Sequence, residues 1–495
     1  GGDALGNLNS DGATRNIGIG NYSGDGMGTI GNHTDNIFIG HDSGGGTWAG
    51  TSSNQNIAIG SYSMDAAMNG ANYNIGIGYS SLSALTAGDL NIAVGQEALG
   101  SLDSGSRNIA IGFDAAKAIT SANRNLAIGY EALRTEDADG DRTTAIGYQA
   151  LYSQNSGTEA TGNTAVGYIS GYYNVTGTNN TYMGYGSGGS GAGGTNSHSD
   201  NTGIGYKALE GITTGGSNIA IGSTAMISVK TGEGNVAIGK QAMEDANFGE
   251  SHNIAIGNGA MLDLNEGSHA SAVADYNIAI GYQALKSGAF AGVDVDLDYN
   301  IAIGSEALWS TAANSHTGTI AIGRQALKLV TSGSGNLGIG HLSGLNITTG
   351  ADNLGVGERT LGGSSSTAIT GDANTAVGWR AGTNLEGAAA NNTLIGKNSG
   401  YAITTGTNNV VVGALSGDAM TSSSNCVLVG KNTGGAINSA DADGTVAVGH
   451  SALTALTSGA GNIAVGYQSL SANTTGANNL MIGYQAGVSA NDANF

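Results

Sequence analysis

The stretch Asn462–Gly487 reads NIAVGYQSLSANTTGANNLMIGYQAG and states one phrase twice, NIAVGYQS and NLMIGYQA, seventeen residues apart. Anchored on the glycine that closes its first five residues, the phrase occurs 26 times, from NIGIG at 16–20 to NLMIG at 479–483. Of the 25 intervals between copies, 12 are 17 residues, none is shorter and the longest is 24. Self-similarity at a short period is the signature of a solenoid, in which each repeat is one coil and stacking buries a continuous core. Residues 16–495 therefore read as a single β-solenoid domain, with 1–15 a partial coil or connection.

Composition narrows the class. The chain has 88 glycines in 495 residues, no proline and 11% charged residues. Glycine without proline or a three-residue period excludes collagen, and the regular aliphatic positions argue against disorder. A formal charge of −21 excludes nucleic acid as a partner, since phosphate binding needs clustered Lys and Arg. One cysteine, Cys426, rules out an internal disulfide framework. No apolar run approaches the roughly 20 residues of a membrane-spanning helix, so no membrane insertion is expected of this segment. The opening GGDALGN carries no initiator Met and no charged-then-apolar leader, which reads as a processed or partial product.

Each position of the phrase carries a requirement. Positions two and four are two apart and share one side of an extended chain. Position four is Ile or Val in every copy except Met183, and position two is Ile, Leu, Val or Thr. These residue types favour a short strand, and the expectation is that both face the coil's core. Position five is glycine in all 26 copies, as suits a corner that excludes a Cβ or needs positive φ. Three residues later stands Ala, Ser or Thr in every copy, and then Leu, Met, Gly or Ala116. This segment reads as a second short strand folding back on the first. Asn fills position one in 22 copies, the exceptions being Thr143, Thr319, Cys426 and Thr445. An Asn at the same corner of every coil predicts an amide ladder.

Position three is expected to point out of the coil. It is Gly or Ala in 20 copies and apolar in the rest, never charged. A continuous uncharged stripe marks an interface, so Ala58, Ala110, Ala255, Ala279, Ala302 and Leu428 are the candidate contact residues of a cyclic homo-oligomer.

NIAIG followed three positions later by a small residue resembles the head repeat of trimeric autotransporter adhesins. It is equally similar to repeats in phage tail-fibre shafts and tail-fibre-domain surface proteins. The resemblance runs from Asn16 to the C-terminus. It implies a β-roll solenoid, left-handed, assembled as a parallel homotrimer packed through its inner strands. The coil of 17 or more residues departs from the adhesin head, whose repeat is shorter, and no stalk heptads, membrane anchor or fibre chaperone domain are present.

Long intervals mark loops expelled from the coil, at 41–55, 185–200, 258–276 and 282–299; binding is expected there. Trp48, Trp309 and Trp379 are candidate surface-binding residues for a glycan, with packing as the alternative. Asp137, Asp139 and Asp141, and Asp294, Asp296 and Asp298, alternate as in the first half of a calcium loop. The distal Glu is missing in both, so calcium is a candidate rather than an expected cofactor. GNVAIGK at 234–240 mimics a phosphate loop, but Gln241 stands where Ser or Thr must hold magnesium. The eight His show no metal-ligand spacing, and no nucleophile elbow occurs.

These readings converge on a non-enzymatic extracellular fibre for surface attachment, on a virion tail or a cell surface, with head-to-tail joining as a further option. Its partners would be itself and a surface glycan or protein receptor. A ligand- or ice-binding solenoid and a glycan-cleaving solenoid enzyme are the alternatives.

Overall fold

The computed structural model describes the chain except for residues 1, 7–11, 29–30, 49, 138–139, 158–160, 190–195, 247–248, 264–273, 288–296, 310–315, 363–366 and 490–495. Positions two to four of every phrase form a three-residue strand, from β1 (Ile17–Ile19) to β26 (Leu480–Ile482). The chain divides into two units, Gly1–Gln241 and Ala242–Phe495. In the first, β1 to β13 (Val236–Ile238) pair in sequence order, all parallel. In the second, β14 (Ile254–Ile256) to β26 do the same. Register is position on position: Ile109 faces Leu126 and Ala110 faces Ala127. The chain is an all-β parallel β-solenoid, and among the described residues the one short helical element is a 3-10 turn at Ala440–Ala442. Residues 2–6 form a partial coil, with Leu5 N donating to Ser23 O at 2.8 Å.

The corner glycine works by close approach. At Gly129, φ is +136° and a Cβ would lie 2.2 Å from the carbonyl oxygen of Gly147, the corner one coil on. Adjacent coils therefore touch backbone to backbone at this corner, and a side chain cannot enter.

Beyond the corner, the expected second strand is absent. The segment is a turn in which two alternate residues are left-handed, Glu97 at φ 55° and Leu99 at φ 49° in one coil. They bond in opposite directions, Glu97 N to Tyr79 O at 2.9 Å and Leu99 N to Ala115 O at 3.0 Å. A left-handed residue reverses the pleat, so no two-residue alternation can run through it. The recurrence of Gly at the second of these positions now has a cause, because glycine takes that φ without steric cost.

Which side faces inward is also corrected. The middle residue of the strand is buried in all but β1 and β26, whereas no residue at position two or four is buried. Ala58, Ala110, Ala255, Ala279, Ala302 and Leu428 are fully buried inside their own chain and cannot be contact residues of an assembly. The physical reason is room. The interior must also hold the Leu or Met four residues past the corner, such as Leu99, Leu133 and Leu151. Opposite these, only a small side chain fits. Where position three is bulky, the exchange is visible: Phe38 with Gly44, Tyr182 with Gly188, Leu394 with Gly400, Leu428 with Gly434. A Cβ on those glycines would come within 2.4 to 3.0 Å of the bulky partner.

The small residue three past the corner lies between the layers, and several of its serines cap a strand carbonyl. Ser23 Oγ donates to Phe38 O at 2.8 Å and Ser399 Oγ to Val411 O at 2.7 Å.

The asparagine ladder is present in both units. Asn91 Oδ1 accepts from the backbone N and from Nδ2 of Asn108, at 2.9 and 3.1 Å, while Asn91 Nδ2 donates to Gly105 O and Asn74 Oδ1. The buried Asn91 amide thus satisfies its own coil and the next one. Cys426 keeps the backbone half of this pattern, its N donating to Asn409 Oδ1 at 3.0 Å. Burial pushes its thiol pKa up, consistent with an inert substitution.

Two buried histidines make stability pH-dependent. His198 lies in the first unit against the Tyr182 hydroxyl, with Nδ1 at 2.7 Å; His316 lies in the second, against Asn300. Burial lowers each to a pKa of about 4. The unfolded chain takes up these protons near pH 6.5 and the folded chain only near 4, so stability is complete above 6.5 and falls as pH drops between those values. The full loss is about 3 kcal/mol per histidine. Thermal melts from pH 7 to pH 4 are expected to show this fall, with His198→Gln and His316→Gln each removing its share.

Candidate functional site

With the alanines inside, the outward face of each sheet belongs to positions two and four. In the first unit Ile109, Ile111, Leu126, Ile128 and Ile146 lie on it, Ile111 being 39% exposed. Two such side chains per coil over 13 coils give on the order of 1,000 Å² of mostly aliphatic surface per unit. The largest patch on an ordinary monomer is a few hundred Å². Parallel sheets normally have both faces covered; here only the inner one is covered by the chain itself.

The strand ends are flanked by ladders. After the corner glycines, Phe113, Tyr130, Tyr148, Tyr168, Tyr185 and Tyr206 occupy six successive coils with centroid spacings of 5.0 to 5.4 Å. The first five rings lie within 9° of parallel to their neighbours. Face-to-face packing uses the ring faces, so inner members of the ladder show edges and hydroxyls outward. They do not offer the open faces on which a sugar stacks. The residue after each corner is where this ladder is written in the sequence, as GYEAL, GYQAL, GYISG, GYGSG and GYKAL; a reading centred on the five-residue phrase passes over it.

The tryptophans separate. Trp48 is 2% exposed and packs edge-on against His33 and Phe38, with centroids at 4.9 and 5.5 Å. It is a packing residue. On either side of residue 49 the 41–55 stretch is bonded to the preceding coil rather than expelled, since Trp48 N donates to Gly26 O and Gln55 N to Thr34 O. Trp309 is half-buried under Lys328 Nζ at 4.7 Å. Trp379, 39% exposed, carries Arg380 at 4.5 Å and Lys397 at 5.1 Å over its ring, so its π surface is engaged by the chain's own cations.

Of the acidic candidates, Asp139, Asp294 and Asp296 lie outside the described residues, as do the centres of the 185–200, 258–276 and 282–299 stretches. Asp137 is exposed. Asp141 Oδ1 accepts from Asn123 N at 2.5 Å and Asp298 Oδ1 from Asp275 N at 2.8 Å, which places both in inter-coil ladders. Among the described residues no three metal-ligating side chains converge.

One concavity, about 270 Å³, lies beside the tyrosine ladder and is lined by Gln149, Ile169, Tyr172, Tyr173, Gly186, Gly189 and Glu210. It is slightly below the usual range of ligand pockets and offers an amide, a carboxylate and two rings, a set suited to non-covalent recognition of a small polar group.

No protein-family model and no curated protein matches this chain. Among the described residues no helix is long and apolar enough to cross a membrane.

Proposed function

We propose that the chain is a non-enzymatic, extracellular structural fibre segment whose copies pack in parallel, as a homotrimer, through the aliphatic face of the sheet. The observation that carries this reading is the open row at positions two and four. It is too large and too continuous to stay in water, and it repeats in every coil, as a lengthwise self-contact requires. Small residues inside make the coil thin and stiff; aliphatic residues outside make it associate. A closed assembly presents every side-facing feature once per chain, including the concavity beside Tyr172, so weak attachment to a surface glycan or protein is multiplied by avidity. Mounting on a phage tail or on a cell surface fits this reading equally.

The test is binding of labelled chain to intact cells and to an immobilised polysaccharide panel. The comparison is with an Ile111→Glu, Ile128→Glu, Ile146→Glu variant, whose changes are confined to the outward face. At least one surface should retain the parent chain, with the variant weakened about 100-fold by loss of avidity. Retention of neither, or of both equally, contradicts the attachment role.

A further inference from the structure

We propose that a slot beside Tyr299 binds one pyranose ring of a neutral glycan, stacked on the open face of that tyrosine. The inference deepens the attachment reading, on which it rests, by naming a site and a ligand class. The slot lies in the second unit, at the residue that precedes position one of each coil. In three successive coils this residue is His252, Tyr276 and Tyr299, stacked at 5.0 and 5.3 Å, with the two tyrosine rings 2° from parallel. In the next two coils it is Gly318 and Gly335, and in the one after that Asp352. The backbone ladder runs on unbroken: Gly318 N donates to Asp298 O, Gly335 N to Thr317 O and Asp352 N to Ser334 O, at 3.0 to 3.1 Å. Tyr299, Gly318, Gly335 and Asp352 are all left-handed, with φ between 56° and 69°, so a side chain at either glycine would leave in the same direction as the rings. Two rungs of the ladder therefore carry no side chain.

The slot has two unlike walls. Tyr299 is the outer ring of its stack and 62% exposed, and among the described residues no second ring and no cation covers its far face. Among the same residues nothing lies within 4 Å of a Cβ placed on Gly318, whereas on Gly335 it would meet Asp352 Oδ1 at 2.5 Å. The first rung is open space and the second is entered by a carboxylate. That carboxylate has no ion pair and no side-chain hydrogen bond among the described residues. A ring at the first rung sits about 5 Å from Tyr299, the step of one coil, as Tyr276 does on the other side at 5.3 Å.

These walls select the occupant. A pyranose presents an apolar C–H face to the tyrosine and a rim of hydroxyl donors to the acceptor-only carboxylate. An aromatic side chain of a partner protein would cover the ring but bury the carboxylate without a donor, which is costly. A quaternary ammonium is held by several ring faces at once, and here there is one. The carboxylate and the chain's net charge of −21 disfavour an acidic sugar. Tyr276 already holds Tyr299 in place, so little ordering is lost on binding. The slot lies outside the row of positions two and four and needs no second copy to complete it.

The test titrates the full chain with cellohexaose, maltohexaose and mannohexaose, using calorimetry for affinity and saturation-transfer NMR for the bound face. At least one hexaose is expected to bind, with saturation concentrated on its ring C–H protons. Tyr299→Ala should weaken it about tenfold, the equivalent of one stacking contact, while Tyr299→Phe keeps the face and should bind like the parent. Gly318→Asn fills the open rung and should abolish binding. Its fold is retained, because Asn391, Asn408 and Asn425 occupy the same corner at φ 58–59°. No hexaose binding, or binding unchanged in both Tyr299→Ala and Gly318→Asn, overturns the slot. Binding of N-acetyltryptophanamide or tetramethylammonium that needs Tyr299, with no hexaose bound, overturns the pyranose as its ligand. The two readings fail separately. Equal retention of the parent and Gly318→Asn on cells or polysaccharide overturns the slot's part in attachment and leaves attachment standing. No retention of the parent overturns attachment, while a hexaose bound at Tyr299 still supports the slot.

Discussion

Replacing Gly129 by alanine is expected to destabilise the first unit by more than about 3 kcal/mol, among the largest effects available to one methyl group. Two costs add. The φ of +136° belongs to a region that L side chains adopt only at a cost of about 1–3 kcal/mol. The added Cβ also falls 2.2 Å from Gly147 O and 2.6 Å from Gly147 C, both backbone atoms. Relief by shifting Gly147 is blocked, because its own Cβ position meets Gly167 O at 2.2 Å. Gly157→Ala is the control: φ is +58° and nothing lies within 4 Å of the added atom, so only the left-handed cost of about 1 kcal/mol applies. Calorimetry of the two variants should separate them clearly, and equal melting temperatures would remove the corner from the list of constraints.

Asn91→Leu is the second large effect. The leucine removes the Nδ2 bonds to Gly105 O and Asn74 Oδ1, at 2.9 and 3.0 Å. It also strips Asn108 of the acceptor for its buried N–H. Leaving buried donors and acceptors unmet costs about 1–3 kcal/mol each, and a loss of about 4 kcal/mol is expected. Asn91→Thr should cost far less. Thr143 already occupies the equivalent corner, its N donating to Asn125 Oδ1 at 2.9 Å and its hydroxyl paired with that of Thr161. Denaturant titration gives the two magnitudes, and faster amide exchange at Asn108 in the leucine variant would locate the damage.

The repeat period, the strand at positions two to four, the corner glycine and the asparagine ladder were all legible in the residues, because each is a local constraint repeated in at least 22 of the 26 copies. The inward side of the strand was not. Alternation says that positions two and four oppose position three, but it does not say which side is enclosed. Hydrophobicity points to Ile, and here it misleads, since the narrow interior sets size above hydrophobicity. A discriminating signal was nonetheless present. All six bulky residues at position three, Phe38, Tyr182, Leu394, Val411, Leu428 and Met481, occur in coils with Gly four residues past the corner, at Gly44, Gly188, Gly400, Gly417, Gly434 and Gly487. Such an exchange of volume is expected only between side chains that share an interior. The left-handed turn was harder to see, because Leu and Gly look unrelated until their common φ is known.

The inversion moves the interface and strengthens the case for one. Alanines facing solvent would expose little, whereas a row of Ile, Leu and Val exposes a great deal. The same change places the flanking ladders along the border of the outward aliphatic face.

The central claim is that copies of this chain cover that aliphatic face, and the molar mass in solution by light scattering tests it most directly. A chain of 48.7 kDa should appear as a trimer of about 146 kDa, three times the chain mass. It should fall to the single-chain value, still folded, when Ile111, Ile128 and Ile146 are replaced by Glu together with Ile256, Ile280 and Ile303 of the second unit. A parent chain that stays at 48.7 kDa and folded at micromolar concentration, with Ile111 and Ile128 open to water, would contradict the account.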